Sequence, residues 1–319
     1  MIPRRAALAL PFLALPASAQ EVWPARPIRF IVPFAAGSAT DLRARLFAEP
    51  LSRRLGQPVV VENRGGANGF LASEAVARAR PDGYTFLFTA NTTHASNPAL
   101  FRRLPYDPIN DFMPVALLGT GVLFVVVNND LPIRSMRDLA GAAAAKPGGL
   151  DVAWGSASSR VAAEMFRHMA GVPFNMVAYR ANPQGITDVI AGNVQAMFLD
   201  TTTAMPQVRE GRVRALAVTS RERLAMAPDV PTVAESAGLP DYEILTWNGV
   251  FAPANTPTEI VNRLAAQLLE IMVEPATTAR YLADGNTQRA LGTADFGRFV
   301  AEDIERWKSV VAAAGIPVE

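Results

Sequence analysis

Two clusters of small and hydroxyl-bearing residues in this 319-residue chain have the types and spacing needed to hold a ligand. The first is Phe34, Ala35, Ala36, Gly37 and Ser38, followed by Thr40 and Asp41, where a side-chain-poor turn runs into a helical pattern. Small residues let a ligand approach the backbone, and the first amides of a helix are unpaired donors at the positive end of its dipole. A carboxylate could bind there without an arginine, although a tight strand-to-helix turn of an ordinary α/β sheet looks the same. The second cluster is Trp154-Gly155-Ser156-Ala157-Ser158-Ser159, again just ahead of a helical stretch. Asn91 and Thr92, Tyr179 and Asp200 each follow an apolar run and join these as candidate ligand-binding residues. Asp41 has two readings: a first-turn acid complementing the helix dipole, or an acceptor for ligand or bound water. Phe34 reads equally as core or as a lid. Trp154 and Trp247 read equally as core or as cleft wall.

Other chemistries find little support. The chain has no cysteine, which removes disulfides, thiolate nucleophiles and cysteine metal sites. Its two histidines, His94 and His168, lie far apart without acids at ligand spacing, so no metal and no cofactor is expected. Gly155-Ser156-Ala157-Ser158 lacks the spacing of a G-x-S-x-G elbow. A triad of Ser156 or Ser158 with His94 and Asp200 can still be written, so a serine-loop hydrolase stays as an alternative, as does a ligand sensor.

The elements that must position these residues alternate between strand and helix. Ile28–Val32 reads as a buried strand, Val59–Glu62 as a second and Thr85–Thr89 as a third, with helices after residue 38 and over Leu71–Ala79. Pro50 falls inside the first helix and should kink it. Val122–Asn128 is strongly β-branched. The pattern then restarts with a helix over Met136–Ala145, a strand near Asp151–Ala153, a helix to Ala170 and a strand over Asn175–Ala178. Further strands are expected at Val194–Phe198, Ala215–Val218 and Ile244–Phe251. Beyond them the chain reads as almost all helix, over Pro257–Met272, Pro275–Asp284 and Thr293–Ala313. Alternation of this kind argues a mainly parallel sheet covered on both faces.

Residues 1–19 read as a signal peptide, with Arg4 and Arg5 ahead of the apolar stretch Ala6–Leu15 and a cleavage pattern at Ala17-Ser18-Ala19. Its removal takes two arginines and no acid, turning the net charge of +1 into −1. A near-neutral chain gives no support for nucleic-acid binding. No later segment has the length of unbroken apolar sequence that a membrane span needs. Hydrophobic residues make up 50% of the chain, enough for a large core, and about 300 residues usually divide into two domains.

A string of short motifs then resembles the Bug family, the periplasmic receptors of tripartite tricarboxylate transporters. They include Pro27-Ile28-Arg29, Ile31-Val32-Pro33-Phe34-Ala35-Ala36-Gly37 with Asp41, Gly56-Gln57-Pro58 and Glu62-Asn63-Arg64. Pro81-Asp82-Gly83-Tyr84-Thr85, Leu104-Pro105-Tyr106-Asp107-Pro108, Arg214-Ala215-Leu216-Ala217-Val218-Thr219 and Pro228-Asp229-Val230-Pro231-Thr232 follow in order. Gly238-Leu239-Pro240, Trp247, Gly249, Ala252-Pro253-Ala254 and Thr256-Pro257 complete the set. The resemblance implies an α/β, two-lobed periplasmic binding protein fold of the type II, Venus-flytrap kind with crossing strands. On that reading residues 20–123 with 247–319 form one lobe and 124–246 the other. It also implies a small carboxylate ligand, delivery to the membrane permease subunits of a tripartite transporter and no enzymatic activity; His94, by its own position in the loop after the third strand, is placed where it can face the cleft. The sequence departs from the family at Ser38, Gly65, Trp154–Arg160, Ala181 and Leu199-Asp200, mostly in the second lobe, so no particular family ligand is inherited.

Overall fold

The computed structural model describes residues 23–319, so the signal-peptide reading of residues 1–19 lies outside the described residues. The chain runs β1 (Ile28–Val32), α1 (Ala39–Leu55), β2 (Val59–Asn63), α2 (Phe70–Ala77) and β3 (Thr85–Ala90). A wide turn at Thr92–Ser96 and the short α3 (Asn97–Leu100) lead to β4 (Phe112–Asn128). Then come α4 (Met136–Ala145), β5 (Leu150–Trp154), α5 (Ala157–Ala170), β6 (Phe174–Ala178), α6 (Asn182–Ala191) and β7 (Ala196–Asp200). They are followed by α7 (Thr201–Arg209), β8 (Val213–Val218), α8 (Val233–Ala237) and β9 (Leu245–Pro253). The chain closes with α9 (Thr258–Met272), α10 (Pro275–Ala283), β10 (Thr287–Leu291) and α11 (Thr293–Ala313).

The strands pair in the order β2-β1-β3-β9-β4-β7-β5-β6, with β8 and β10 also on β4. Two parallel blocks result, β2-β1-β3 and β7-β5-β6. The antiparallel strands β4 and β9 join them. β4 is 17 residues long, well beyond the usual strand, because its apolar run from Val115 to Val127 is buried almost throughout. Its first half pairs with β9 and β10, and its second half with β7 and β8. A single apolar cluster reaches from Ile31 and Leu87 on one block to Val152, Phe166 and Phe198 on the other.

Local chemistry sets the helix ends. The Ser38, Ser156 and Asp200 side chains accept from the third amide of α1, α5 and α7 respectively, and so fix where each helix begins. α1 continues through Pro50, whose missing N–H leaves the Leu46 carbonyl without its helical donor. It stops at Gly56, whose φ of 68° is the left-handed conformation a glycine cap adopts at low cost. Two strands depart from the sequence reading: β4 begins at Phe112, ten residues ahead of the β-branched run Val122–Asn128, and a further strand follows β9. The stretch after β9 contains β10, which pairs antiparallel with β4. Thr287–Leu291 is short and largely exposed, and it is recruited by the open edge of β4 rather than by an apolar alternation of its own.

Candidate functional site

The parallel strands β1, β3, β5, β6 and β7 release the chain at their C-terminal ends around one cleft of about 560 Å³. That is where open α/β sheets bind ligands. Phe34, Ser38, Asn91, Thr92, Ser156, Ser158 and Asp200 line it, together with Ala181 and Asn182. Leu123, Thr246, Trp247 and Asn248 close it from the side of β4 and β9. An adjoining pocket shares Phe34, Thr92, Gly155 and Ser156 with the cleft and adds Trp154, Tyr179 and Arg180.

Four helix N-termini converge here, those of α1, α5, α6 and α7. Each brings the positive end of its dipole and first-turn amides that no intrahelical carbonyl can reach. In the turn ahead of α1 the Ser38 amide donates to the Ala35 carbonyl and the Gly37 amide to Asp41 Oδ2 at 2.9 Å. Ala35, Ala36 and Gly37 are exposed and outside the cleft lining, whereas Ala39 and Thr40, just further on, belong to it.

Asp41 is buried and its carboxylate is aimed into the protein. Besides Gly37, it accepts from Arg45 Nε at 3.0 Å and from Asn63 Nδ2 at 2.9 Å. Burial pushes its pKa up, but the bonds from Arg45, Gly37 and Asn63 outweigh that and hold it below the usual carboxylate value. Asp41 therefore shapes the turn and is not in the lining. Ser159 is likewise buried, its hydroxyl donating to the Phe198 carbonyl. Thr40 lines the cleft and accepts from Asn248 Nδ2.

Asp200 keeps one oxygen on the Thr203 amide at 2.8 Å and the other on Asn182 Nδ2 at 3.0 Å. Tyr179 donates to Asp188 Oδ2 at 2.6 Å, and burial with that neighbouring carboxylate pushes its pKa up to about 12. Trp154 is half-buried, lies outside the apolar clusters and has the Arg160 guanidinium over its ring at 5.4 Å. Trp247 is both cleft wall and core. Its ring is 1% exposed and its indole donates to Asp303 Oδ2 at 2.7 Å.

His94 does not line the cleft. Its ring stacks on Phe251 at 3.8 Å between centroids, and its Nδ1 meets Thr93 Oγ1 at 2.8 Å. Burial without an acid lowers its pKa to about 3, so it is a neutral core residue. The triad that can be written with Ser156 or Ser158 and Asp200 is not assembled, since His94 bonds to neither serine nor aspartate. No group of histidines, acids and cysteines among the described residues has the arrangement of a metal site.

The sequence reading missed Arg43, Asn182, Thr246 and Asn248. Arg43 had a visible signal. It stands at helical spacing in the stripe Ala39, Phe47, Leu51, which is otherwise apolar and buried. The asparagines and Thr246 carried no comparable mark.

The family model for the tripartite tricarboxylate transporter family receptor matches residues 43–316. Protein BugT of Bordetella pertussis is 35% identical over 307 residues, covering 95% of this chain and 93% of that protein. A solved Rhodopseudomonas palustris protein with adipate superposes with a TM-score of 0.89 at 33% identity, over 92% of this chain and 99% of the other. MatC of the same organism, solved with bound malate, gives a TM-score of 0.85 at 32% identity, over 91% and 100%. The two-lobed periplasmic binding protein fold expected from the sequence is the fold found.

Proposed function

The chain belongs to the tripartite tricarboxylate transporter receptor family and is a solute-binding receptor, and from that premise we propose that its cleft captures a small carboxylate. The observation that carries this reading is the convergence of four helix N-termini on one cleft. Partial positive charge on fixed amides stabilises an anion without reorganisation. The amides of Ala39 and Thr40 and the hydroxyls of Ser38 and Ser156, whose oxygens accept from their helices and whose protons stay free, hold the acid, Ser158 lines the site with its proton on Asn91, and waters fill the remaining bonds. Asp200 accepts from a ligand hydroxyl or ammonium. The adipate and malate bound by the two similar proteins are of this chemical class.

The lobes are residues 20–123 with 247–319, and residues 124–246. The division of partners along β4 supports that boundary, since its first half pairs with β9 and its second half with β7 and β8. Ligand binding draws the lobes together, and the closed receptor hands its solute to membrane permease subunits without changing it. The chain is exported to the periplasm and its signal peptide is cleaved near Ala19.

A thermal-shift screen of dicarboxylates, amino acids and aromatic acids on refolded, ligand-stripped protein tests the reading. A ligand that binds the native state raises its melting temperature by mass action. A carboxylate recovered unchanged after incubation supports a receptor. No shift with any carboxylate overturns the ligand class, and turnover of the bound compound overturns the receptor.

A further inference from the structure

Arg43 is a buried cation with no anionic partner among the described residues. It is 6% exposed and lines the cleft. Its guanidinium donates only to neutral acceptors, namely Asn248 Oδ1, Asn286 Oδ1 and, at 3.3 Å, Thr202 Oγ1. Its Nε is buried and has no acceptor at all. No carboxylate lies within 4.0 Å of it, although 18 other pairs of opposite charge do meet that distance among the described residues. An arginine cannot shed its proton, so its desolvated charge is met only by these neutral acceptors and by the face of the Tyr281 ring, 5.6 Å from the guanidinium, and by no full negative charge. The one acid of the cleft lining, Asp200, has both oxygens engaged by the Thr203 amide and Asn182.

We infer that Arg43 is the counter-charge for a second anionic group on the ligand, and so decides between acids with one charged end and acids with two. This rests on the carboxylate reading above and deepens it. The first acid sits at the amides of Ala39 and Thr40. Arg43 projects from the same face of α1 one turn later, about 6 Å further along the axis at 1.5 Å per residue. The far end of a short diacid therefore meets the guanidinium while its near end caps the helix. The site is also braced by the crossing strand: a Cβ on Gly121 would lie 2.6 Å from Asn286 Oδ1 and 3.6 Å from the Arg43 guanidinium. Glycine leaves the space in which Arg43 and Asn286 pack against β4.

Calorimetry on the ligand-stripped receptor tests this with acids paired by carbon count: succinate against butyrate, glutarate against pentanoate, adipate against hexanoate. In at least one pair the diacid binds the wild type more tightly by roughly ten- to a hundredfold, the range for a hydrogen-bonded charge pair. Arg43→Met brings the ratio of diacid to monoacid affinity close to one, and that ratio, not either affinity alone, is the readout. Arg43→Lys, which keeps the charge, retains part of it. Equal binding of monoacid and diacid by the wild type overturns the inference while leaving the carboxylate receptor standing. An equal loss for both acids in Arg43→Met also overturns it, and makes Arg43 a brace for Asn248 and Asn286. Should Arg43→Met fail to fold, the wild-type pairs together with Arg43→Lys decide the question. If no acid of either kind binds the wild type, the carboxylate reading and this inference fall together.

Discussion

Trp154 presents a large apolar face to the pocket adjoining the cleft, where a flat or compact ligand body can lie against it. We expect Trp154→Ser to broaden the range of acids bound, read as the number of carboxylates that shift the melting temperature, with little loss of intrinsic stability. A stability loss of about 3–5 kcal/mol with an unchanged ligand ranking would instead make the indole a core residue. Asp41 leads to a different expectation. Asp41→Ala strands the Gly37 amide and Asn63 Nδ2, so it should lower unfolding free energy by about 1–3 kcal/mol, checked by urea titration. Any fall in ligand affinity would follow from the loosened turn. His94 gives a pH signature. Its folded pKa is about 3 against 6.5 unfolded. Above pH 6.5 the ring is neutral in both states. Below it the unfolded chain binds a proton that the folded core refuses, so stability falls as the pH drops from 6.5 toward 3. Urea midpoints measured from pH 7 to 5 should fall less steeply in His94→Phe, which keeps the stack on Phe251. At this scale the sequence was a partial guide. It marked Ser38, Thr92, Ser156 and Asp200, which line the cleft, because small and hydroxyl residues ahead of a helix have a local signature. It could not show that the oxygens of Asp41 turn inward, or that His94 stacks on a phenylalanine 157 positions away, because both depend on tertiary neighbours.

The helices and strands were more legible than the contacts between them. Met136–Ala145 and Thr293–Ala313 were readable to the residue, since periodic apolar faces and caps are local. β10 was not, because an exposed edge strand owes its pairing to β4 and not to its own pattern. The same strand β4 carries an element-scale prediction at Gly121. An added methyl crowds Asn286 Oδ1 at 2.6 Å and Thr246 Oγ1 at 3.1 Å, both beside the cleft floor. Gly121→Ala should therefore weaken ligand affinity by about tenfold or more, with a melting-temperature loss of only a few degrees, roughly 1 kcal/mol of overpacking. Paired calorimetric and thermal measurements on the one variant separate the two effects.

At the scale of the molecule, few polar bonds cross the cleft between the two halves among the described residues. Ser158 Oγ donates to Asn91 Oδ1 at 3.2 Å, Arg43 donates to Thr202, and Arg160 pairs with Glu319 at 2.6 Å. If the lobes close on a ligand as proposed, these bonds form in the closed state, and we expect them to bias closure and not folding. Ser158→Ala should reduce affinity for any bound acid by roughly threefold to tenfold, the worth of one net hydrogen bond, while the unfolding midpoint without ligand stays within a degree or two. Small-angle scattering should show the ligand-saturated wild type more compact than the ligand-stripped form, and an unchanged radius of gyration would remove closure from the mechanism.

The continuity of β4 has a calorimetric consequence. A hinged receptor is often pictured as two bodies on flexible tethers, which would melt in two steps. Here one strand of 17 residues is interior to both sheets, and one apolar cluster runs through both. Neither half can lose its order without stripping β4 of partners on which the other half depends. Heating should therefore give one endotherm whose van't Hoff and calorimetric enthalpies agree. Added ligand should move that peak as a unit and should not split it.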